Sequence, residues 1–354
     1  MTLIALTVNH GYPVLMADLL ISSVESTGEI ELPTFVKGTG SLFANMSRYK
    51  PLGLKQKLYI VNDRLCVALG GRGDQMRTFL KRMTAFYGSI DFNDDELITF
   101  VETYPIEESN DLIAIVLKSK QDETGYTFAV RCVGGLRMIE NDRYEKVVAG
   151  GSGAKQFLEF IQTNPKYGTD ITNTDAFLVM NQYLISYWLG REVARVDSLS
   201  NYWGAGYEMI VFESGKFVKL EEYTVVLLVG KFGNGIEFEA APISTMMVGY
   251  QEKVLVIRVF ANNVEKIFAI PSILDDRESI EVKDQEAKHS TLLMTYILEN
   301  VDNNTEHFPT IVLPRNVNEF DKTPIVFKRV GNRLQLHKDR KTDDYILSVV
   351  KSSA

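Results

Sequence analysis

Thr2 stands directly after Met1, and it carries two of the groups that acyl-transfer chemistry requires. A threonine hydroxyl is a weak nucleophile until a base removes its proton. Once Met1 is cleaved off, the free α-amino group of Thr2 could be that base, since its ordinary pKa of about 8 leaves it partly neutral at pH 7. Many chains begin with Met-Thr, so the pair indicates a nucleophile only if other residues support it.

Two segments near the start of the chain carry charged residues at the ends of predicted strands. The first continues from Thr2 through a strand, a His-Gly turn and a second short strand that ends at Asp18. The second is a pair of predicted strands that starts at Lys57 and ends at Gly70-Gly71. An acid and a lysine could therefore both lie close to Thr2 if these strands are neighbours.

Two further segments flank predicted helices. Ser152 lies between two glycines before a helix of about 154–163, and the segment from Asp197 to Ser200 follows a helix of about 174–195. Taken in order, the four segments resemble the active-site motifs of proteasome β subunits, which are N-terminal-nucleophile hydrolases. The position of Thr2 directly after Met1 resembles the bacterial members, which need only Met removal, and the resemblance covers about residues 2–222.

The resemblance implies a role for the nucleophile and its two charged neighbours. Thr2 would attack a carbonyl carbon and form an acyl-enzyme ester, which water then hydrolyses. Lys57 would lower the pKa of the nucleophile and assist proton transfer. Asp18 would keep Lys57 charged and oriented, since an opposite charge within about 4–6 Å favours the ionised form.

The resemblance also implies roles for residues around the amine and the oxyanion. Ser152, Asp197 and Ser200 would hold the terminal amine and its proton network, and the backbone N–H of Gly71 would face the developing oxyanion. Each residue also has a structural interpretation. Ser152 could cap the following helix, the Asp197–Ser200 segment could simply close a helix, and Gly71 could belong to a strand-to-helix turn.

The chain departs from the family in three places. About two dozen extra residues, roughly Ser23–Gly53, lie between Asp18 and Lys57, in a region that borders the active site in the family. The family has Gly-Gly directly after the position of Ser200, whereas this chain has the segment 201–206. The residues after Tyr223 have no counterpart in the simple ring proteases.

The order of predicted elements indicates an α+β fold. Strands, two helices, strands, two helices and strands follow one another, and two sheets packed face to face with a helix pair outside each would bury every apolar stripe. We therefore expect a four-layer αββα sandwich, the N-terminal-nucleophile hydrolase fold, over residues 2–222. Residues 223–354 are expected to form a smaller C-terminal appendage of unknown role, mixed α/β or mostly β, with one helix near Leu292–Asn300.

Composition excludes several classes of partner. The net charge of -8, without an uninterrupted basic stretch, argues against nucleic acid and anionic membranes. No apolar run reaches the roughly 18 residues that span a bilayer, and the start of the chain does not match a signal peptide.

Cys66 and Cys132 are expected to be buried, unpaired thiols in the reducing cytoplasm. The four histidines lack metal-ligand spacing, so we expect no metal and no cofactor.

The leading functional hypothesis is a threonine peptidase that hydrolyses peptide amide bonds in a peptide or protein substrate. The resemblance implies a homo-oligomeric ring or double ring. The chain has no phosphate-binding Gly-x-x-x-x-Gly-Lys-Ser/Thr loop, so an ATP-dependent unfoldase would be a separate protein. Two alternatives stay open. One is an amidase of the same fold that acts on a small-molecule amide, with a pocket shaped by the extra segment, and the other is a catalytically silent scaffold subunit.

Overall fold

Strands account for 53% of the described residues and helices for 23%, so the fold, described from a computed structural model, is mixed α+β with strands predominating. The structure describes residues 2–24, 30–36, 49–89, 92–105, 112–123, 125–141, 144–163, 174–220, 222–232, 236–238, 242–275, 280–282, 291–300, 306–308, 310–314, 325–330 and 333–338. The strands are β1 (Ile4–Asn9), β2 (Tyr12–Asp18), β3 (Leu20–Ser23), β4 (Lys50–Leu54), β5 (Leu58–Asn62), β6 (Leu65–Gly71), β7 (Leu112–Asp122), β8 (Gly125–Val133), β9 (Leu136–Asn141), β10 (Tyr144–Gly150), β11 (Tyr207–Glu213), β12 (Lys216–Lys219), β13 (Tyr223–Phe232), β14 (Ile236–Phe238), β15 (Ser244–Gln251), β16 (Val254–Ala261), β17 (Val264–Ile270), β18 (Thr291–Asn300), β19 (Glu306–His307), β20 (Thr310–Pro314), β21 (Ile325–Val330) and β22 (Arg333–Lys338). The helices are α1 (Gly73–Tyr87), α2 (Asp94–Glu102), α3 (Ala154–Thr163), α4 (Thr174–Arg195) and α5 (Asp197–Ser200).

Thr2 leads into a central strand of a six-stranded antiparallel sheet, whose order is β12-β11-β2-β1-β10-β9. β1 and β2 form a hairpin in which Ile4 lies opposite Ala17. On its other edge β1 pairs with β10, and Ile4 lies opposite Gly150. These two registers bring the end of β2 and the turn after β10 to the start of β1.

A second, four-stranded antiparallel sheet has the order β5-β6-β7-β8. Every residue of β6 up to Gly70 is buried, as its near-continuous apolar run predicts. One face of this sheet packs on α1 and α2. The apolar residues Met76, Phe79 and Met83 of α1 recur at helical spacing and share a buried cluster with Leu69 of β6.

The other face of the four-stranded sheet packs on the six-stranded sheet. Ile4, Leu6 and Leu15 from the six-stranded sheet share a buried cluster with Cys66 and Ile115 of the four-stranded sheet. Since side chains alternate along a strand, the intervening residues of β1 and β2 point away from this cluster.

These intervening residues pack on α3 and α4. Ala5 and Met16 belong to a buried cluster with Phe157 of α3 and Trp188 of α4. The two helices therefore cover the face of the six-stranded sheet that is turned away from the four-stranded one. None of the helices that the structure describes is long and apolar enough to cross a membrane.

The chain after β12 enters a third sheet of eight strands, in the order β17-β16-β15-β13-β18-β19, with β14 paired to β13 and β20 to β18. The change of sheet falls between Lys219 and Tyr223. One hydrophobic cluster nevertheless runs across this point, because Tyr223, Val225 and Ile257 are buried together with the residues around α4. A division of the chain into domains 2–222 and 223–354 stays a prediction.

The helix predicted near Leu292–Asn300 is wrong, because this segment is strand β18. β18 pairs in parallel with β13 and antiparallel with β20, and successive residues such as Leu293 and Met294 are buried. A short apolar run buried on both faces shows no alternation, so periodicity cannot distinguish it from a buried helix. The described residues after 222 form strands and no helix, so this part of the chain is mostly β rather than mixed α/β.

The prediction that both cysteines are buried is wrong for Cys132. Both thiols are free, and Cys66 is buried whereas Cys132 is exposed. Cys132 lies on β8, an edge strand of the four-stranded sheet, so a strand-like apolar sequence does not ensure burial there.

Candidate active site

Thr2 and Asp18 meet because the β1–β2 hairpin places the start of one strand beside the end of the other. The backbone N–H of Asp18 donates to the carbonyl of Leu3 over 3.0 Å. The hydroxyl of Thr2 donates to Asp18 Oδ1 over 2.6 Å. The separation of these residues in sequence is therefore the length of the hairpin that joins them.

The carboxylate of Asp18 is fully buried and accepts hydrogen bonds from four donors. Three of them reach Oδ1, namely the hydroxyl of Thr2, the backbone N–H of Leu3 at 2.8 Å and Nζ of Lys57 at 2.6 Å. The backbone N–H of Gly204 donates to Oδ2 over 2.9 Å. Since a carboxylate offers about four lone-pair sites, Asp18 is fixed in orientation by these contacts.

Lys57 is buried, and its ammonium group contacts Oδ1 of Asp18, the oxygen that also accepts the hydrogen bond from the Thr2 hydroxyl. Its Nζ also donates to the carbonyl of Leu20 over 2.7 Å. Burial lowers the pKa of Lys57 below its ordinary value, and the charge and hydrogen bond of Asp18 oppose that effect. A lysine whose charged form is disfavoured by burial is better suited to exchange protons than a solvated one.

Ser152 contacts the main chain of Thr2, whereas Asp18 contacts its hydroxyl. The backbone N–H of Thr2 donates to Ser152 Oγ over 3.2 Å, and this hydroxyl lies 3.4 Å from the carbonyl oxygen of Thr2 and 3.5 Å from that of Tyr202. The neighbouring Gly151 has a φ of 92°, and a Cβ atom there would lie 2.1 Å from the carbonyl oxygen of Thr2. Only glycine therefore fits between Ser152 and the start of β1.

Two glycines at the end of β6 border the side chain of Thr2. A Cβ atom on Gly70 would lie 2.4 Å from Cγ2 of Thr2, so this position must be small for Thr2 to keep its place. Gly71, the predicted oxyanion donor, is the next residue, is exposed and has a φ of 112°. The direction of its N–H toward an oxyanion stays a prediction.

Asp197 and Ser200 lie on the short helix α5. Ser200 is exposed, and its backbone N–H donates to the carbonyl of Val196 over 3.0 Å. No described contact joins Ser200 to Thr2, and the side chain of Asp197 lies outside the described part of the structure. The loop that follows reaches the site instead, through Gly204 on Asp18.

Glu192 supports this loop from behind, and sequence patterns did not single it out. Its carboxylate is buried and accepts hydrogen bonds from the backbone N–H of Ala205 at 3.0 Å, from Ser198 Oγ at 2.8 Å and from the hydroxyl of Thr34. Burial raises the pKa of Glu192 to about 7. A Cβ atom on Gly204, whose φ is 121°, would lie 1.9 Å from Glu192 Oε2. Glu192 thus fixes the loop whose N–H group holds Asp18.

Thr34 comes from the extra segment Ser23–Gly53, so this segment contributes to the surroundings of the site. At its two ends β3 and β4 pair antiparallel, and within it Leu32 makes a bridge with Phe35. Residues 25–29 and 37–48 of the segment lie outside the described part of the structure.

A cavity of about 1170 Å³ lies beside the segment that carries Lys57. Gln56 and Leu58, which flank Lys57, contribute to its wall, together with Lys219 of β12 and Tyr250 of β15. Thr2 is not among the described residues that line it. We therefore do not assign it as the cleft in which a scissile bond would meet the nucleophile.

The described residues contain no group of three or more His, Cys, Asp or Glu side chains placed to hold a metal ion. Scans of the chain against protein-family models and against curated proteins find no match. The site must therefore be interpreted from its own geometry.

Proposed function

We propose that this chain is an N-terminal-nucleophile hydrolase of the proteasome type, a threonine peptidase that uses Thr2 after removal of Met1. One arrangement supports this proposal above all others. The hydroxyl of Thr2 and Nζ of Lys57 share Oδ1 of Asp18, while the nitrogen of Thr2 contacts Ser152 Oγ. A nucleophile, a buried ion pair and a hydroxyl beside the future amine thus meet from four distant points of the chain.

The proposed reaction begins when Met1 is cleaved and the amide nitrogen of Thr2 becomes an amine. This amine takes the proton of the hydroxyl, with Ser152 and Lys57 beside the two groups, and Oγ1 of Thr2 forms a bond to the substrate carbonyl carbon. The C–N bond of the substrate then breaks, and its nitrogen leaves with the proton. Water hydrolyses the resulting ester and restores Thr2.

The proposed fold is the four-layer αββα sandwich over residues 2–222. Two observations support it. The buried cluster of Ile4 and Ile115 lies between the two sheets, and a helix pair shares a cluster with the outer face of each sheet. In this arrangement Thr2 would lie at one end of the space between the sheets.

Substrate and assembly follow from the resemblance alone. We propose a peptide or protein substrate, a homo-oligomeric ring or double ring in the cytoplasm, and a separate ATP-dependent unfoldase as a possible companion. Asp197 and Ser200 keep the roles in the amine network that the resemblance implies, and Gly71 keeps that of the oxyanion donor. These roles belong to the proposal, because no described contact joins Asp197, Ser200 or Gly71 to Thr2.

One observation favours the catalytically silent scaffold as a second candidate. Thr2 is only 1% exposed, whereas a working nucleophile must meet its substrate. The peptidase proposal requires that the removal of Met1, which is bonded to Thr2, opens the nucleophile to substrate. The two candidates therefore differ in whether the processed protein reacts at Thr2.

The test combines the intact mass of the native protein with its reaction toward an epoxyketone and a panel of fluorogenic peptides. The peptidase predicts a mass without Met1, one label per chain, and peptide hydrolysis that is lost in Thr2→Ala and retained in part by Thr2→Ser. Particle size then separates a ring from a small amidase. Retention of Met1 in an active protein, or full activity in Thr2→Ala, would overturn the proposal, and an unlabelled, inactive chain would identify the scaffold.

A further inference from the structure

Lys57 reaches Asp18 only if its main chain is fixed, and a second buried carboxylate, that of Glu208, provides this. Lys57 precedes β5 and does not itself belong to a strand. Its backbone N–H and that of Leu58, at 2.9 Å, both donate to Oε1 of Glu208. On its other edge the carbonyl of Lys57 accepts from the backbone N–H of Leu69 of β6 over 2.9 Å, so Glu208 takes the place of a neighbouring strand on one edge of this segment.

Glu208 lies on β11 opposite Ala17, one residue from the position opposite Asp18. Its side chain is fully buried. Because a carboxylate removed from water must be paired to be tolerated, the partners of Glu208 determine whether it can hold Lys57 in this way.

The second oxygen of Glu208 has two partners beyond β11. Lys219 Nζ donates to Oε2 over 2.9 Å, and the hydroxyl of Tyr250 donates to it over 3.3 Å. Lys219 also lies 5.0 Å from the centre of the Tyr250 ring. Tyr250 belongs to β15 of the eight-stranded sheet, so the C-terminal part of the chain contacts the carboxylate that holds Lys57.

The same part of the chain also holds Gln56, the residue before Lys57. Nε2 of Gln56 donates to the carbonyl of Lys253 over 2.8 Å and to that of Ile270 over 2.7 Å. Its backbone N–H donates to the carbonyl of Pro271 over 3.1 Å, and its Oε1 accepts from Lys219. The residue that precedes Lys57 is thus tied to the part of the chain that follows Tyr223.

We propose that Glu208 is a positioning residue for Lys57, and that the segment after Tyr223 is part of the active-site framework through Tyr250 and Gln56. This inference rests on the proposed function for its catalytic consequence. Its structural core, the dependence of Lys57 on contacts from the C-terminal sheet, can be measured without any substrate.

The test compares Tyr250→Phe and Glu208→Gln with Tyr223→Phe as the matched control. Tyr223 also belongs to the C-terminal sheet, and its buried hydroxyl donates to the carbonyl of Tyr207 over 2.8 Å, next to Glu208. Tyr250→Phe and Tyr223→Phe each remove one polar contact between the same two parts of the chain. Glu208→Gln changes the carboxylate that Lys57 and Tyr250 both contact. Tyr250→Phe and Glu208→Gln therefore alter the path that leads to Lys57, whereas Tyr223→Phe removes a contact outside it.

In the full-length, processed protein we expect Glu208→Gln to lower kcat about tenfold to a hundredfold, since small displacements of a reacting group are costly, with KM within about twofold. Tyr250→Phe should lower kcat about twofold to fivefold. Tyr223→Phe should leave kcat unchanged, although it should lower Tm by about as much as Tyr250→Phe does. The Nζ resonance of Lys57 in protein containing ¹⁵N-labelled lysine, assigned by its loss in Lys57→Arg, should shift in the first two variants and not in the control.

These readouts separate the two proposals. If the wild-type protein has no activity that depends on Thr2, the proposed function fails, and the Lys57 resonance alone decides the positioning role. An unchanged resonance in Glu208→Gln and Tyr250→Phe, or an equal shift in Tyr223→Phe, would overturn that role. A shifted resonance with unchanged kcat in an active enzyme would also overturn it, because Lys57 would then not need to be positioned for the reaction.

Discussion

Nζ of Lys57 lies 2.6 Å from Oδ1 of Asp18, and both side chains are almost entirely buried, with exposed fractions of 2% and 0%. A buried pair of this kind gains Coulomb energy but loses the hydration of both charges, so it contributes little net stability. Loss of one partner is different, because the remaining charge is then buried without compensation. The pair is therefore a sensitive point for both folding and chemistry.

The first prediction concerns this pair. Asp18→Asn should lower the free energy of unfolding by about 3–5 kcal/mol, because the buried ammonium group of Lys57 loses its counter-charge. Chemical denaturation at pH 7 measures the change. The same substitution should abolish hydrolysis if Thr2 is the nucleophile.

An exposed pair provides the matched control. Arg72 and Asp74 lie 2.7 Å apart with exposed fractions of 60% and 58%, so Asp74→Asn should change the free energy of unfolding by less than about 1 kcal/mol. Equal effects of the two Asp→Asn substitutions would show that the Lys57–Asp18 pair is not buried as described.

The second prediction is a pH dependence that originates from Glu192. Its pKa of about 7 in the folded protein lies above the ordinary value of 4.5. Between these pH values the folded protein retains a proton that the unfolded chain has lost, so the stability from Glu192 is complete below pH 4.5 and is lost as the pH rises through about 7. The difference in unfolding free energy between wild type and Glu192→Gln should therefore decrease by ~3 kcal/mol over this range.

Denaturation curves collected at several pH values for the two proteins measure this difference. Glu159→Gln is the control for the loss of one carboxylate, since the Glu159 side chain is 58% exposed on α3. A pH-independent difference for Glu192→Gln would mean that Glu192 ionises normally in the folded state.

The four residues that meet at the candidate site could be predicted from the sequence for a physical reason. Thr2, Asp18, Lys57 and Ser152 each lie at the end of an element or in a glycine turn, where motif and predicted element boundary coincide. The N–H group of Gly204 on Asp18 could not be anticipated, because a backbone donor in a loop has no residue-type signature. The position of this N–H group depends on the path of the segment 201–206, whose sequence differs from that of the proteasome β subunits that the chain resembles.

Glu192 and Glu208 were missed because each is a single acid within a regular element. Glu192 lies near the end of α4 and Glu208 within β11, and a solvated acid would give the same local pattern in either place. Their partners are separated from them in sequence by up to about 160 residues, as with Thr34 and Glu192. Only the packing of the elements reveals that these acids are buried.

Prediction of the elements succeeded for α3 and α4 and failed in part of the third sheet. The predicted ranges of both helices agree with the structure, and in α3 an amphipathic pattern distinguishes the helix from a strand. β15 was missed and β18 was taken for a helix. Both are apolar strands within the third sheet. β18 pairs with β13, which is distant in sequence, whereas β15 pairs with its sequence neighbours β13 and β16.

The third prediction uses the two cysteines as reporters of the four-stranded sheet. Ellman's reagent should modify one thiol per chain in the native protein, that of Cys132, which is exposed. Cys66 should react only after denaturation, since it lies between the sheets and burial raises the pKa of its thiol. Cys132→Ser should then give no rapid reaction. Two rapidly reacting thiols would contradict the packing of the two sheets.

The fourth prediction tests the contact between Gly70 and Thr2 by a double-mutant cycle. A Cβ atom on Gly70 would lie 2.4 Å from Cγ2 of Thr2, so Gly70→Ala should displace Thr2, lower peptide hydrolysis at least tenfold and cost about 1–3 kcal/mol of stability. Thr2→Ser removes Cγ2 but keeps a hydroxyl nucleophile. The double variant should therefore lose less activity than the two single losses combined predict.

Gly135 provides a matched glycine control for this cycle, and additivity of the two substitutions would contradict the prediction. A Cβ atom on Gly135 would meet nothing within 4 Å, so Gly135→Ala should leave activity and stability unchanged. Ile113 also lies near Gly70, with side-chain atoms 2.8 Å and 2.9 Å from the added Cβ, so the rescue by Thr2→Ser should be partial. Strict additivity of the two substitutions would mean that Gly70 does not contact the nucleophile, because coupling is expected only for residues that share a contact.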